Sequence, residues 1–252
     1  MIHAIGDIHG QIAELDRALA LVDATGEAGA PIVFLGDYTD RGPDSRAVID
    51  RLIAEQGPGR VFLRGNHDRM FTRFLRHGII ADPAIKSGKT WLHPSLGGGT
   101  TLASYGVAVP DGDTLARLGH DPRRAEDLAR LLAEARACVP EAHLAFLENT
   151  RLTYRTDDHV FVHAGLRPGL PLADQTEDDL LWIREPFLSD PRDHGPLVVH
   201  GHTALDAPAH HGNRLNLDSG AGYGRPITAA LLDGRRAWSL TGWGRREIRP
   251  DP

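Results

Sequence analysis

MIHAIGDIHG at Met1–Gly10, PIVFLGDYTDRG at Pro31–Gly42 and RVFLRGNHD at Arg60–Asp68 repeat one arrangement. An apolar, β-branched run stops at a glycine, and an oxygen-bearing side chain follows it: Asp7, Asp37 or Asn66. Helical periods lie between the runs. Ile12, Leu15, Leu19 and Val22 are spaced for one helix face, which ends near Gly26. Pro43 opens a second helix with Val48, Ile49, Leu52 and Ile53 on its inner side. Gly57–Pro58–Gly59 stops it, and a third helix is expected after Gly65–Asn66. The pattern predicts β-α-β-α-β-α with a period of about thirty residues, as parallel βαβ units have. Ligands collect at the C-terminal strand ends of such sheets, so Asp7, Asp37 and Asn66 are expected in one site.

Beyond residue 79 the character changes. Residues 79–149 are rich in proline, glycine and helix formers, with an Ala/Arg/Leu-rich helix around Arg123–Ala137, and read as a helical insert or cap. Strands are predicted at Arg151–Thr156, His159–His163, Leu197–His200, Arg214–Leu217, Ile227–Leu232 and Arg236–Leu240, the last two joined by Asp233–Gly234. The 252 residues, 41% hydrophobic and 25% charged, suit one large α/β domain spanning 1–252 with 79–149 inside it.

Several function classes drop out. The net charge of −6 argues against nucleic acid as the main partner. No apolar run reaches the roughly 20 residues of a membrane span. The functional-looking N-terminus leaves no room for a signal peptide, and the single cysteine suits a reducing compartment, so a cytoplasmic protein is expected. Cys138 cannot serve a cysteine-based phosphatase, because Leu144 stands where that chemistry needs a phosphate-cradling arginine. Ser87–Thr90, SGKT, mimics the end of a phosphate-binding loop, but Pro83 replaces the glycine that motif requires. A monomer is the default expectation.

Two further motifs carry histidines, HAG at His163–Gly165 and HGH at His200–His202. With GDIHG, GDYTDRG and GNHD they combine carboxylate, amide and imidazole, a donor mixture suited to Mn, Fe or Zn rather than Ca. At these residues the sequence resembles the calcineurin-like metallophosphoesterases, and within them the phosphoprotein phosphatase branch with its small bacterial and phage serine/threonine phosphatases. The resemblance spans essentially the whole chain. It implies a four-layer α/β sandwich of two mixed sheets flanked by helices. It implies two divalent metal ions, foremost Mn: Asp7 and His9 on the first, Asp37 bridging, and Asn66, His163 and His202 on the second. Two such ions hold a bridging hydroxide for direct attack on phosphorus. Arg41 and Arg184 are implied to grip phosphate oxygens, His67 to protonate the leaving group, and Asp40 to hold the His67 imidazole.

The implied activity is phosphomonoester hydrolysis, with phosphoserine and phosphothreonine proteins the first substrate class. LLWIRE at Leu180–Glu185 and DSGA at Asp218–Ala221 favour that class. Asp68, where many protein phosphatases carry glutamate, favours diadenosine polyphosphates or another small phospho-metabolite instead. A metal-binding scaffold without activity should show a broken ligand or a lost His67, and neither is broken.

Blander readings stand beside these. Asp40 could cap the helix after Pro43, and Arg184 could be half of a surface ion pair. His200 is expected to face away from His202. His3 reads as a satisfied core histidine. His77, His93, His120, His143, His159, His194, His210 and His211 read as surface or supporting residues. Gly97–Gly99 read as flexible loop, and Tyr223 as a near-site residue.

Overall fold

The computed structural model describes residues 1–27 and 29–251. β1 (Ile2–Ile5), β2 (Ile32–Phe34) and β3 (Arg60–Phe62) run parallel, with His3 opposite Ile32 and Ile32 opposite Arg60. α1 (Ile12–Asp23) and α2 (Ser45–Ala54) form the crossovers, and α3 (Asn66–His77) leaves β3 directly. Pro43 lies in the turn before α2 rather than inside it.

Helices α4 (Gly98–Ser104), α5 (Gly112–Arg117), α6 (Ala125–Cys138) and α7 (Glu141–Glu148) follow. The chain returns through β4 (Thr153–Arg155), β5 (His159–Val162), α8 (Glu177–Trp182), β6 (Leu197–His200), β7 (Ala209–His210), β8 (Arg214–Asn216), β9 (Ala229–Asp233), β10 (Arg236–Thr241) and β11 (Gly244–Ile248). A six-stranded sheet has the order β11-β10-β9-β1-β2-β3, and a five-stranded sheet β4-β5-β6-β8-β7. Both are mixed: β9 pairs antiparallel to β1, and β4 and β7 are antiparallel edges on a parallel centre.

Strand alternation sorts the apolar residues into layers. Ile2, Ala4, Val33 and Leu35 of the first sheet pack on Phe161, Leu197, Val199 and Leu215 of the second. Ile5, Ile32 and Phe34 face the other way, onto Leu15, Val48, Leu52 and the helices of residues 98–148. Val160, Val162 and Val198 meet Leu180, Ile183 and Phe187 on the far side. Strands buried on both faces read as continuous apolar runs, which explains their legibility. The result is the expected α/β sandwich of two mixed sheets flanked by helices.

β7 and β11 were not anticipated. β7 is two residues long, and β11, GRREI, is exposed except for Ile248 and carries no apolar signal. His3 is buried: Nε2 lies 3.1 Å from the Thr25 hydroxyl, while Nδ1 has no partner among the described residues. His143, His159 and His210 are buried too, not at the surface. Among the described residues no helix is long and apolar enough to cross a membrane.

Candidate metal centre

The loops that leave the strands bring the predicted side chains together between the sheets. Asp7, His9, Asp37, Asn66, His67, His163 and His202 are all buried. The backbone around them is unusual. Among the described residues the non-glycine positions with positive φ are His9 (49°), Asp37 (52°), Asp40 (73°), Arg41 (67°) and His202 (65°), and each is a predicted site residue. Left-handed backbone costs an L-residue about 1–2 kcal/mol. It persists where surrounding contacts over-determine it, which happens mostly at functional sites.

Glycines allow those contacts. A Cβ on Gly65 would stand 2.1 Å from Asp37 Oδ1. Gly97, at φ 88°, brings its backbone against Arg41, where a Cβ would meet the Arg41 nitrogen at 2.2 Å. Gly97–Gly99 therefore form the packed entry to α4 and not a free loop.

Two clusters of donor atoms share Asp37: His9, Asp37 and His67 on one side, Asp37, His163 and His202 on the other, each set within 4.8 Å. His9 Nδ1 donates to the Thr39 carbonyl at 2.9 Å, and His163 Nδ1 to the Leu35 carbonyl at 2.9 Å. Each therefore turns an Nε2 lone pair inward, that of His163 toward Asn66 and that of His9 toward Asp37 and the Arg41 guanidinium. His163 Nε2 faces Asn66 Oδ1 at 2.9 Å, and His9 and His163 each stand 3.5 Å from an Asp37 oxygen. His202 Nδ1 lies 2.8 Å from the same Asn66 Oδ1, and its Nε2 is buried without a partner among the described residues. Acceptors aimed at acceptors call for a cation between them, and the set fits two divalent ions without thiolate.

The electrostatics agree. Burial, reinforced by Arg41, holds His9 well below the usual histidine range, and burial with His163 does the same to His202. Both imidazoles stay neutral and able to ligate. Burial would raise the Asp37 carboxyl, but the neighbouring imidazoles, His163 first, outweigh it and hold it below the normal range. Asp7 is pushed well up by burial, with Asp218 and Asp37 adding repulsion. Its carboxylate accepts the His202 amide at 3.1 Å and stands outside both donor clusters. His67 takes the corresponding place geometrically, but its Nδ1 is already committed to Asp40 at 2.7 Å.

Asp40 makes no helix cap. Its oxygens receive His67 Nδ1, the Trp91 indole N–H at 2.7 Å and the Thr101 hydroxyl at 2.6 Å. Asp68 is a clamp: it accepts from the Tyr38 amide at 2.9 Å and the Gly65 amide at 3.0 Å, locking the Asp37 and Asn66 loops together. Burial and Asp37 push it up to about 7. Asp218 lies beside Asp7, as near-site structure, whereas nothing in the sequence points to Trp91 and Thr101. Trp91 and Thr101 reach Asp40 across more than fifty positions of chain, which spacing cannot reveal.

Arg41 Nη1 is 2.8 Å from His9 Nε2 and Nη2 is 3.3 Å from His67 Nε2, while its guanidinium lies 5.0 Å over the Tyr223 ring. Arg184 is exposed. It lines a cleft of about 660 Å³ with Asp37, Arg41, Asn66, His67 and His202. Lys86, Ser87 and Leu96, from residues 79–149, form another wall. His200 faces away, its ring edge-on to Phe187 at 5.1 Å.

Residues 1–226 match the calcineurin-like phosphoesterase family. Over 244 residues the chain is 25% identical to an asymmetrical bis(5'-nucleosyl)-tetraphosphatase PrpE of Geobacillus thermodenitrificans, covering 90% of this chain and 89% of that one. It is 43% identical over 68 residues to a symmetrical bis(5'-nucleosyl)-tetraphosphatase of Ralstonia nicotianae, covering 26% and 22%. Among solved structures, one described as a putative diadenosine tetraphosphatase superposes with a TM-score of 0.63 at 23% identity, over 96% of this chain and 93% of that one. A cold-active protein-tyrosine phosphatase of a Shewanella species superposes at 0.58 with 16% identity, over 98% and 80%. Members of the matched family bind two divalent metal ions, and the donor clusters around Asp37 are candidate sites for them. The chain belongs to the calcineurin-like phosphoesterases.

Proposed function

We propose that this phosphoesterase cleaves phosphoanhydride bonds in small nucleotides, dinucleoside polyphosphates foremost. The observation that carries this reading is the cleft. Arg41, Lys86, Arg167 and Arg184 line it together with the candidate ligands. Arg167 is paired with Asp179, whereas Lys86 and Arg184 are in no ion pair among the described residues. Of the carboxylates on the same walls, Asp178 and Asp179 are paired with Arg69 and Arg167, which leaves Arg41, Lys86 and Arg184 to meet more than one phosphoryl group, as a polyphosphate chain would require. The relatives aligned over nine-tenths of the chain carry a name of this substrate class.

Asp7, His9 and Asp37 would hold one ion, and Asp37, Asn66, His163 and His202 the other, with Mn the first metal to test. Two bound ions would supply an activated water and charge to neutralise phosphoryl oxygens. Arg41 and Arg184 orient the phosphoryl group through fork-like donors. His67 gives its proton to the departing oxygen, and Asp40 holds the ring. The segment 79–149 forms the wall that selects substrates.

A second reading, a protein serine/threonine phosphatase, draws on Leu180–Glu185 and Asp218–Ala221, and on the place of Arg184 in the cleft just after Trp182. Purified enzyme assayed with Mn²⁺, Fe²⁺, Co²⁺ and Zn²⁺ on diadenosine tetraphosphate, phosphoserine and phosphothreonine peptides, and mononucleotides separates the two. The highest kcat/KM is expected on the dinucleotide. A preference for phosphopeptides would install the second reading, and no turnover with any metal would remove both.

A further inference from the structure

We infer that Trp91 and Thr101, both from the segment 79–149, are positioning residues that aim His67 by holding the Asp40 carboxylate. This rests on the proposed role of His67 as the proton donor. Asp40 is fully buried. One of its oxygens, Oδ2, is shared between His67 Nδ1 and the Trp91 indole N–H, each at 2.7 Å. The other, Oδ1, accepts the Thr101 hydroxyl at 2.6 Å, and the same hydroxyl accepts the Asp40 amide at 2.8 Å. The carboxylate plane is thus fixed by two donors from outside its own loop. Without them a single hydrogen bond to His67 would leave it free to rotate, and the imidazole with it.

Trp91 is itself seated firmly. It is fully buried, its ring lies 5.7 Å from that of Phe71 and 5.0 Å from that of Phe74, and a Cβ on Gly98 would collide with its indole at 2.5 Å. Phe71 and Phe74 belong to α3, the helix that begins with Asn66 and His67. The same tryptophan therefore braces the proton donor through both the helix and the carboxylate. Neither Trp91 nor Thr101 lines the cleft. Their influence should fall on kcat and leave KM largely unchanged.

The test is a double-mutant cycle on turnover of the best substrate in the panel above. Trp91→Phe keeps the ring packing and deletes the N–H. It should lower kcat about tenfold, the scale of one hydrogen bond to a charged group. The same change in a His67→Asn background should lower it less than twofold, because the partner it acts through is gone. Thr101→Val should behave like Trp91→Phe, and Thr101→Ser, which keeps the hydroxyl, should restore near wild-type turnover. Equal losses from Trp91→Phe with and without His67 overturn the inference, as does unchanged kcat in both Trp91→Phe and Thr101→Val. If His67→Asn itself leaves kcat unchanged, the proton-donor role falls first and this inference with it. Should Trp91→Phe fail to fold, the Thr101 pair decides alone.

Discussion

Arg41 has a φ of 67°, a strained value that its neighbours enforce. The Gly97 backbone presses on its main chain, and Gly222 lies so close that a Cβ there would stand 2.6 Å from Arg41 Cδ. This strain can be measured apart from the side chain. Arg41→Gly and Arg41→Ala both delete the guanidinium, but only alanine must place a Cβ in the left-handed region. Arg41→Gly should therefore be the more stable by about 1 kcal/mol, even though glycine carries the larger entropy in the unfolded chain. Urea midpoints of the two variants in chelator check it, and a higher midpoint for Arg41→Ala would show that Arg41 is unstrained. The candidate ligands stand out in the sequence because each motif joins a donor to the glycine that its loop needs. The role of Asp68 was less legible. Asp68 in GNHD reads as a substitution for glutamate, yet its carboxylate secures the Tyr38 and Gly65 amides of two different loops. Contacts of that kind depend on which loops meet, and no local pattern encodes them.

At the scale of elements, α3 does more than deliver Asn66 and His67. Its Arg69, nearly buried, donates to Asp82 at 3.0 Å and to Asp178 at 2.6 Å. Asp82 precedes the Ala84–Ser87 wall of the cleft, and Asp178 sits in α8, just before Trp182–Glu185 on the other wall. One guanidinium thus ties both walls to the helix that carries the site. Arg69→Met should cost about 3 kcal/mol, because Asp82 keeps only Arg73, at 3.2 Å, as a cationic partner. Combining it with Asp82→Asn should recover part of that loss. KM should rise in Arg69→Met as the walls separate. Identical stability losses in both backgrounds would show that the pair is not coupled. The helices and strands that position these residues were legible wherever apolar residues recur on one face, as in α1 and β1–β3. β11 escaped notice because its side chains up to Ile248, Arg245 and Arg246 among them, are exposed and leave no apolar pattern. Of the helices between residues 98 and 148, α6 was located in advance, but its partner surface was not: Trp91, Leu102 and Leu131 join the core of the first sheet across long sequence separations.

Across the whole molecule, histidines are built into packed regions far from the cleft. His3, His143 and His159 are buried, and burial lowers the affinity of each for a proton. In the unfolded chain each would titrate near 6.5. Between that value and the depressed native one, the unfolded state binds more protons than the native state. Stability from these groups is therefore complete above about pH 6.5 and declines as the pH falls below it. Asp218 acts in the opposite direction, since burial raises its carboxyl and acidification favours the folded state through it. Differences between wild type and single variants cancel that opposing contribution. His159→Gln can keep the bond that His159 Nε2 makes to the Gly234 carbonyl at 2.7 Å, and it cannot titrate. The stability of wild type relative to His159→Gln should fall on going from pH 7.5 to pH 5.5, by at most about 1.4 kcal/mol per pH unit below 6.5. Urea denaturation in chelator at both pH values measures it. A constant difference would mean that His159 binds a proton as readily in the fold as outside it, and would assign any acid lability to other groups.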